Sequence, residues 1–291
     1  MTLLLVHTGG TIGMAPTAEG LAPQAGLVES ALAARLPEGR ALQAEVFDPL
    51  IDSADMGPDG WNRIIGAILA HPGADVIVTH GTDTMAFTGA ALSQALAGSG
   101  AGSGRRVVLC GSMLPLGMGG DAEGNLDLAI QAAGTAVPGV WLAFAGQLRP
   151  ACGLVKQDSH AADAFRALPQ APLPPRPAHP APFGPARLAI LSLSPGLPPR
   201  ALAAMLAELD GAVLRVYGAG TATGDPDFLA VLADATARGV ALRAVSQCQT
   251  GGLEPGSYAA GAGLWAAGVQ NGGLETPEAA LIRLWLDRFM T

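Results

Sequence analysis

Residues 76–97 read VIVTHGTDTMAFTGAALSQALA, and this stretch decides the fold class. Its first four residues, Val76 to Thr79, are rich in β-branched side chains and predict a buried strand. A polar turn containing glycine follows, and the segment from Thr84 to Ala97 has the length and composition of a helix. A strand, a turn and a helix in this order form the repeating unit of an α/β domain with a mostly parallel sheet.

The same alternation continues on both sides of this stretch. Further predicted strands in the first half of the chain are Leu3 to His7, Leu42 to Phe47, Val107 to Cys110 and Val140 to Phe144, and the predicted helices are Gly26 to Leu36, Pro58 to Ala70 and Glu123 to Ala136. In the second half we predict strands at Arg187 to Leu193, Ala212 to Val216 and Ala241 to Val245, and helices at Pro198 to Leu209, Pro226 to Arg238 and Pro277 to Phe289.

A proline-rich stretch at residues 168–186 separates the two halves, and its lack of periodicity is typical of a linker. The sequence therefore predicts two parallel-sheet α/β domains: a larger N-terminal one at residues 1–167 and a smaller C-terminal one at residues 187–291.

Composition excludes several classes of function. The chain is 49% hydrophobic and 14% charged, which is typical of a folded globular protein. A net charge of −8 argues against nucleic acid or an anionic membrane as a partner, because both bind clustered Lys and Arg. Glycine and proline interrupt the longest apolar run, and no basic segment precedes the apolar N-terminal residues, so we expect a cytoplasmic protein. The three cysteines lie far apart and indicate neither a disulfide framework nor a metal site.

Polar residues follow four successive predicted strands. Because the carboxyl ends of parallel strands meet at one edge of a sheet, we expect these residues to form a small-molecule site. The segments are Thr8 to Thr11, Asp52 to Asp55, His80 to Thr84 and Gly111 to Met113.

Two of these segments have simpler interpretations. The paired glycines Gly9 and Gly10 are also compatible with a phosphate cradle, but the segment lacks the Gly-Lys-Ser/Thr ending of a P-loop, and a tight turn explains it as well. Thr84 is placed to cap the helix that follows it. A cap at Thr84 does not explain why Thr82 and Asp83 precede it.

Lys156 is the only lysine among sixteen basic residues; the others are arginines. A lysine amine can release a proton at working pH, whereas an arginine guanidinium cannot. An unprotonated amine can activate a threonine hydroxyl as a nucleophile. The single lysine therefore indicates a position where an amine is required.

These residues carry a resemblance to a known family. Thr8-Gly9-Gly10-Thr11-Ile12 and His80-Gly81-Thr82-Asp83-Thr84-Met85 resemble the two active-site signatures of the bacterial L-asparaginases, threonine amidohydrolases that include the glutaminase-asparaginases. The resemblance extends over nearly the whole chain and is strongest to the cytoplasmic branch. It includes Asp52 to Met56, Gly111-Ser112 with Asp121 and Asn125, Lys156 with Asp163 to Phe165, Tyr217-Gly218 and Gln247-Cys248.

The resemblance implies a reaction and a set of site residues. It implies hydrolysis of the side-chain amide of L-asparagine through an acyl-enzyme, without a metal or organic cofactor. Thr11 would be the nucleophile, and Thr82, Lys156 and Asp83 would handle protons. Ser53 and Asp83 would hold the α-carboxylate and α-ammonium of the substrate. The implied substrate-binding set is Gly10, Asp52, Ser53, Ala54, Gly81, Thr82, Asp83 and Ser112. A homodimer or homotetramer is implied as well.

Two positions depart from the family pattern. The family tyrosine on the loop after the first signature is replaced by Leu21, and an asparagine that the smaller domain presents to a neighbouring subunit's site is replaced by Thr221. Leucine can cover a site but cannot donate a hydrogen bond.

Three other functions stay open at this point. L-glutamine is an alternative main substrate, because one methylene is worth only about 1 to 3 kcal/mol of discrimination. A catalytically impaired amino-acid-binding protein is a second alternative, motivated by Leu21 and Thr221. A hydrolase with Ser112 or Cys110 as nucleophile is a third, although the G-x-S-x-G motif is absent and no histidine is assignable as its base.

Overall fold

The computed structural model describes residues 2–97, 104–176 and 181–289, and the chain forms two compact units. The first contains Met1–Ala167 and Leu173–Phe183, and the second contains Leu168–Pro172 and Gly184–Thr291. Within the predicted linker, residues 168–172 thus belong to the second unit and residues 173–183 to the first. Residues 177–180 of that stretch lie outside the described part of the chain.

The first unit is built on a six-stranded sheet with the strand order β4-β1-β5-β6-β7-β8. Its strands are β1 (Thr2–His7), β4 (Ala41–Val46), β5 (Asp75–Thr79), β6 (Arg106–Cys110), β7 (Gly139–Phe144) and β8 (Gln147–Pro150). The first five are parallel to one another, and β8 pairs antiparallel with β7. The carboxyl ends of β1, β5 and β6 therefore meet at one edge of the sheet.

Two small antiparallel pairs accompany this sheet. A hairpin joins β2 (Met14–Thr17) to β3 (Gly20–Pro23), and β9 (Leu154–Lys156) pairs with β10 (Phe165–Ala167). Lys156 is thus the last residue of a strand.

Four helices cover the first unit: α1 (Leu27–Ala33), α2 (Pro58–Ala70), α3 (Met85–Ala95) and α4 (Ala122–Thr135). α1 and α4 enclose one apolar core with alternate residues of the sheet, among them Leu3, Leu5 and Ile77. α2 and α3 contact each other and strands of the same sheet. Short 3-10 turns at Thr11–Gly13 and Ser53–Asp55 follow at the carboxyl edge.

The second unit has a four-stranded parallel sheet with the strand order β11-β12-β13-β14. Its elements are β11 (Leu188–Ser192), α5 (Pro199–Ala207), β12 (Gly211–Val216), α6 (Pro226–Ala237), β13 (Ala241–Ser246), α7 (Ala262–Ala266), β14 (Gln270–Asn271) and α8 (Pro277–Phe289). It has its own apolar core, in which Leu214, Phe228 and Leu232 are fully or almost fully buried. The predicted fold class, α/β with two parallel-sheet domains, is confirmed. Within the described ranges, no helix has both the length and the apolarity needed to cross a bilayer.

Candidate active site

Glycines bring the first two signature segments into direct contact. Gly10 has a φ of +93°, and a Cβ added there would lie 2.5 Å from the backbone nitrogen of Gly81. Gly9 has a φ of +130°, and a Cβ there would lie 2.4 Å from the carbonyl oxygen of Ile51. Only glycine fits both the positive φ and the close approach. The segment that carries Thr11 therefore packs on the backbones of the two segments beside it.

Ser53 is placed against the second signature. A Cβ added at Gly81 would lie 2.4 Å from the Ser53 hydroxyl oxygen, and Ser53 is buried. The Thr84 hydroxyl donates a 2.6 Å hydrogen bond to the Ser53 carbonyl. Our prediction that Thr84 caps the following helix with its side chain was wrong, because its hydroxyl makes this contact between segments instead. Asp52 accepts a hydrogen bond from the Ala54 amide at 2.9 Å and stabilises the turn that holds Ser53.

Lys156 lies far along the sequence from the second signature, but its side chain contacts that signature. Its Nζ donates to Thr82 Oγ1 at 2.9 Å and to Asp83 Oδ1 at 2.7 Å. The side chain of Lys156 is 18% exposed, whereas that of Asp83 is 66% exposed. The structure thus brings together three of the four predicted catalytic side chains, and the carboxylate of Asp83 stays open to a ligand.

Thr11, the fourth, begins the 3-10 turn directly after Gly10 and is half-buried. Within the part of the chain that the structure describes, its hydroxyl has no hydrogen-bond partner. The backbone N–H groups of Thr11 and Thr82 also have no acceptor among the described residues. The two signatures therefore present a hydroxyl and two amide donors that form no hydrogen bond with the described residues.

The strand that carries Lys156 is held by contacts that sequence analysis did not single out. Phe165 lies opposite Lys156 in β10, and its ring packs edge-on against Phe144 at a centroid distance of 5.0 Å. Arg149 donates to Asp163 at 2.7 Å and to the Phe144 carbonyl at 3.0 Å. A buried arginine in a short strand has no sequence signature, because its partners are fixed only by the fold.

The fourth polar segment, Gly111 to Met113, forms hydrogen bonds with the residues that follow it in the chain. The buried Ser112 hydroxyl donates to the Leu114 carbonyl at 2.5 Å. Asp121 accepts hydrogen bonds from the amides of Met113 and Leu114, and Asn125 donates to the Gly111 carbonyl at 2.9 Å. Cys110 is fully buried, and burial raises the pKa of its thiol far above the ordinary value. Neither Ser112 nor Cys110 is therefore placed as an activated nucleophile.

Two buried histidines flank the signatures. His80 Nδ1 lies 2.6 Å from the Gly81 carbonyl, and its Nε2 lies 2.8 Å from Thr88 Oγ1. Burial lowers the pKa of His80 to about 4, so the ring is neutral at neutral pH. His7 Nδ1 lies 2.7 Å from Thr79 Oγ1, and burial lowers its pKa as well.

The two positions that depart from the family pattern lie in different units. Leu21 is in the β2–β3 hairpin, opposite Pro16, and is 46% exposed. Thr221 closes a turn with Tyr217, whose carbonyl accepts a hydrogen bond from the Thr221 amide at 3.0 Å.

Comparisons with known proteins cover both units. The family model described as "Asparaginase, N-terminal" matches residues 2–176, and the one described as "Glutaminase/Asparaginase C-terminal domain" matches residues 187–286. L-asparaginase 1 of Escherichia coli is 32% identical, over 97% of this chain and 90% of its own length. The thermostable L-asparaginase from Thermococcus kodakarensis superposes with a TM-score of 0.86 at 29% identity, covering 100% of this chain and 94% of that one. L-asparaginase I from Vibrio cholerae superposes with a TM-score of 0.81 at 31% identity, covering 98% and 92%.

Proposed function

Because this chain belongs to the asparaginase family, we propose that it is an L-asparaginase that hydrolyses the side-chain amide of L-asparagine to L-aspartate and ammonia. The observation that carries the proposal is the Lys156 amine within hydrogen-bond distance of both Thr82 and Asp83, at 2.9 and 2.7 Å. It unites the single lysine of the chain with the second signature. No metal or organic cofactor takes part in the proposed reaction.

The reaction runs in two halves. The hydroxyl of Thr11 attacks the amide carbon, loses its proton to a neighbouring base, and the nitrogen leaves as ammonia after it gains a proton. Water then attacks the acyl-threonine, which releases aspartate and returns the proton to Thr11. Thr82, Lys156 and Asp83 supply and accept these protons, because they form one hydrogen-bonded group that contains both an amine and a carboxylate.

The tetrahedral intermediate in each half carries a negative oxygen. The amides of Thr11 and Thr82 are available to stabilise it, since the described residues offer them no acceptor. Losing one such donor costs about 3 kcal/mol in other hydrolases. At that cost, each amide contributes a factor of roughly 100 to the proposed rate.

The substrate's α-amino and α-carboxylate groups need separate partners. The exposed carboxylate of Asp83 is suited to the α-ammonium, and the Ser53 hydroxyl, adjacent to Gly81, is suited to the α-carboxylate. The remaining members of the proposed site are the backbones of Gly10, Ala54 and Gly81, together with Asp52 and Ser112 as supporting residues.

The test is ammonia release from L-asparagine and L-glutamine by the wild type and by the Thr11→Ala and Thr82→Ala variants. We expect turnover of asparagine in the wild type and a loss of about 10⁴-fold or more in each variant, with circular dichroism unchanged. Near-normal turnover in either variant would remove that threonine from the mechanism. Faster release from glutamine would identify a glutaminase-asparaginase instead.

A catalytically impaired amino-acid-binding protein is the second candidate, and Leu21 and Thr221 are the observations that favour it. It predicts that the wild type binds aspartate or asparagine without releasing ammonia. Leu21→Tyr separates the two candidates further. A working enzyme should gain about five- to tenfold in kcat/KM from one added hydrogen bond. An impaired protein has no activity as the wild type, and the tyrosine should give it activity for the first time.

We also propose a cytoplasmic location and a homodimeric or homotetrameric assembly. No disulfide joins Cys110, Cys152 or Cys248, which is compatible with a reducing compartment. Cell fractionation tests the location, and light scattering against the 29.1 kDa mass of one chain tests the assembly.

A further inference from the structure

A chain of three hydrogen bonds runs from the helix layer to the backbone of the second signature. Trp61 Nε1 lies 3.0 Å from Thr88 Oγ1, Thr88 Oγ1 lies 2.8 Å from His80 Nε2, and His80 Nδ1 lies 2.6 Å from the Gly81 carbonyl oxygen. Nothing in the proposed reaction uses Trp61, Thr88 or His80.

The two ends of this hydrogen-bonded series fix the direction of every bond in it. An indole nitrogen can only donate, so the Thr88 oxygen accepts from Trp61. The Gly81 carbonyl can only accept, so the His80 ring carries its proton on Nδ1 and donates it there. Nε2 of the neutral ring is then unprotonated and accepts the hydroxyl proton of Thr88. A neutral imidazole has no other proton to give.

The fixed carbonyl determines where the next amide points. The peptide bond between Gly81 and Thr82 is trans, so its C=O and N–H point in opposite directions. The Gly81 oxygen faces the His80 ring, which is held by residues of α2 and α3. The Thr82 N–H is therefore aimed away from that helix layer, and none of the described residues accepts a hydrogen bond from it.

The hydrogen-bonded series from Trp61 to Gly81 is rigid because each of its side chains is buried. His80 and Thr88 have no exposed surface, Trp61 is buried, and the Trp61 ring packs edge-on against Phe183 at a centroid distance of 5.2 Å. The His80 amide also donates to the Cys110 carbonyl at 2.9 Å, so backbone and ring are both held. A group that must be ready before the substrate arrives gains most from such preorganisation.

We infer that His80 is a positioning residue, which Trp61 and Thr88 hold in a single tautomer so that the Thr82 amide stays aimed as an oxyanion donor. The inference rests on the function proposed above, because that function gives the Thr82 amide its role. It adds three residues, outside the reacting groups, on which the rate depends.

The first test compares His80→Leu with His80→Asn. Asparagine places an amide nitrogen near the former Nδ1 and can still donate to the Gly81 carbonyl, whereas leucine fills the space without a donor. We expect kcat on asparagine to fall about 100-fold in the leucine variant, near the lower end of the loss for one oxyanion donor, and to be largely rescued in the asparagine variant. KM and the affinity for L-aspartate should change little in both. A leucine variant with normal kcat, or an asparagine variant as slow as the leucine variant, would overturn the inference.

The second test does not depend on substitutions at His80. Thr88→Val breaks the chain at its middle, while Thr88→Ser keeps the hydroxyl and should rescue kcat; equal rates in the two variants would contradict the inference. If the valine and leucine variants do not fold, the ¹⁵N resonances of His80 in the wild type decide. We expect protonated Nδ1 and unprotonated Nε2, and the opposite tautomer would overturn the inference.

The two levels of the proposal fail differently. A wild type that releases no ammonia from asparagine or glutamine would remove the proposed function, whatever the His80 tautomer. A wild type that turns over normally together with an equally active His80→Leu variant would remove only the role of His80.

Discussion

At the scale of single residues, Lys156 is the group whose chemistry is hardest to replace. Its amine makes two contacts below 3 Å with the second signature, one to a hydroxyl and one to a carboxylate. An arginine in its place could still pair with Asp83, but its guanidinium keeps its protons at working pH. Replacing Lys156 with arginine therefore separates the effect of its positive charge from the effect of proton transfer.

We predict that Lys156→Arg lowers kcat for asparagine by about 10²- to 10⁴-fold, the usual contribution of a positioned acid or base. The matched control is Arg166→Lys, an exposed position on β10 opposite Val155, which should leave kcat unchanged. Ammonia release measured under saturating asparagine checks both variants. If Lys156→Arg keeps full activity, the amine has no proton-transfer role.

His80 also predicts a pH dependence of stability. Burial lowers the pKa of its folded form to about 4, below the value of about 6.5 in an unfolded chain. Between these values the unfolded state binds more protons, so the contribution is complete above pH 6.5 and is lost as the pH falls toward 4. The full loss is on the order of 3 kcal/mol.

Urea unfolding at pH 7, 6 and 5 measures this effect. We expect the free energy of unfolding to fall more steeply with acid in the wild type than in His80→Asn, in which the titrating ring is gone. Identical slopes in the two proteins would show that His80 is not held neutral by burial. His7 has a shift of the same sign and is present in both proteins, so it does not affect the difference.

At the scale of elements, periodicity and composition predicted the parts whose burial is decided locally. The helices Pro58–Ala70 and Pro277–Phe289 lie at the predicted bounds, because a proline begins each of them and an apolar face runs along each. The β2–β3 hairpin and the pairing of β9 with β10 were not predicted. Their strands are three or four residues long and have no apolar alternation, so only pairing with a partner makes them strands.

The packing of segments at the sheet edge could not be predicted from the sequence either, although the residues themselves were identified. The pattern placed Ser53 and Gly81 after different strands, but the contact between them depends on how two loops cross. The contact of Thr84 with the Ser53 carbonyl depends on the same crossing. Lys156 was found by its rarity, and its grouping with Thr82 and Asp83 was implied by the family resemblance. Only the structure shows the hydrogen bonds that join the three.

We predict that Gly81→Ala raises KM for asparagine more than it lowers stability. The added Cβ would lie 2.4 Å from the Ser53 hydroxyl and 2.7 Å from its Cβ, so Ser53 must move from the place proposed for the α-carboxylate. The control is Gly66→Ala inside α2, where an added Cβ meets no atom within 4 Å, and which should stabilise the protein by about 1 kcal/mol. Steady-state kinetics and thermal unfolding separate the two effects. An unchanged KM in Gly81→Ala would remove Ser53 from the substrate site.

At the scale of the whole molecule, the proline-rich stretch is shared by both units. Phe183 packs against Trp61 in the first unit and hydrogen-bonds through its backbone to Asn62, whereas Gln170 donates to the Leu274 carbonyl in the second. Prolines limit the conformations of this segment before it packs, which lowers the entropy lost on folding. Sequence composition identified the segment as irregular, but its packing partners lie more than a hundred residues away.

Assembly is the property of the whole molecule that decides whether the proposed site is complete in one chain. The resemblance implies that the smaller domain, at the turn ending in Thr221, faces the site of a neighbouring subunit. If so, a Thr82→Ala subunit and a Thr221→Arg subunit are each inactive alone, the first in its own site and the second in its neighbour's. A mixed dimer then contains one site with an intact Thr82 and an intact neighbour.

We therefore predict that co-refolding the two inactive variants restores activity. In a randomly mixed population of symmetric dimers half are mixed, and each has one working site of two, which gives roughly a quarter of the wild-type rate. Light scattering establishes the oligomer, and refolding each variant alone provides the control. If Thr221→Arg is active by itself, and the mixture has no more activity than its share of Thr221→Arg chains supplies, each chain carries a complete site and Thr221 lies outside it.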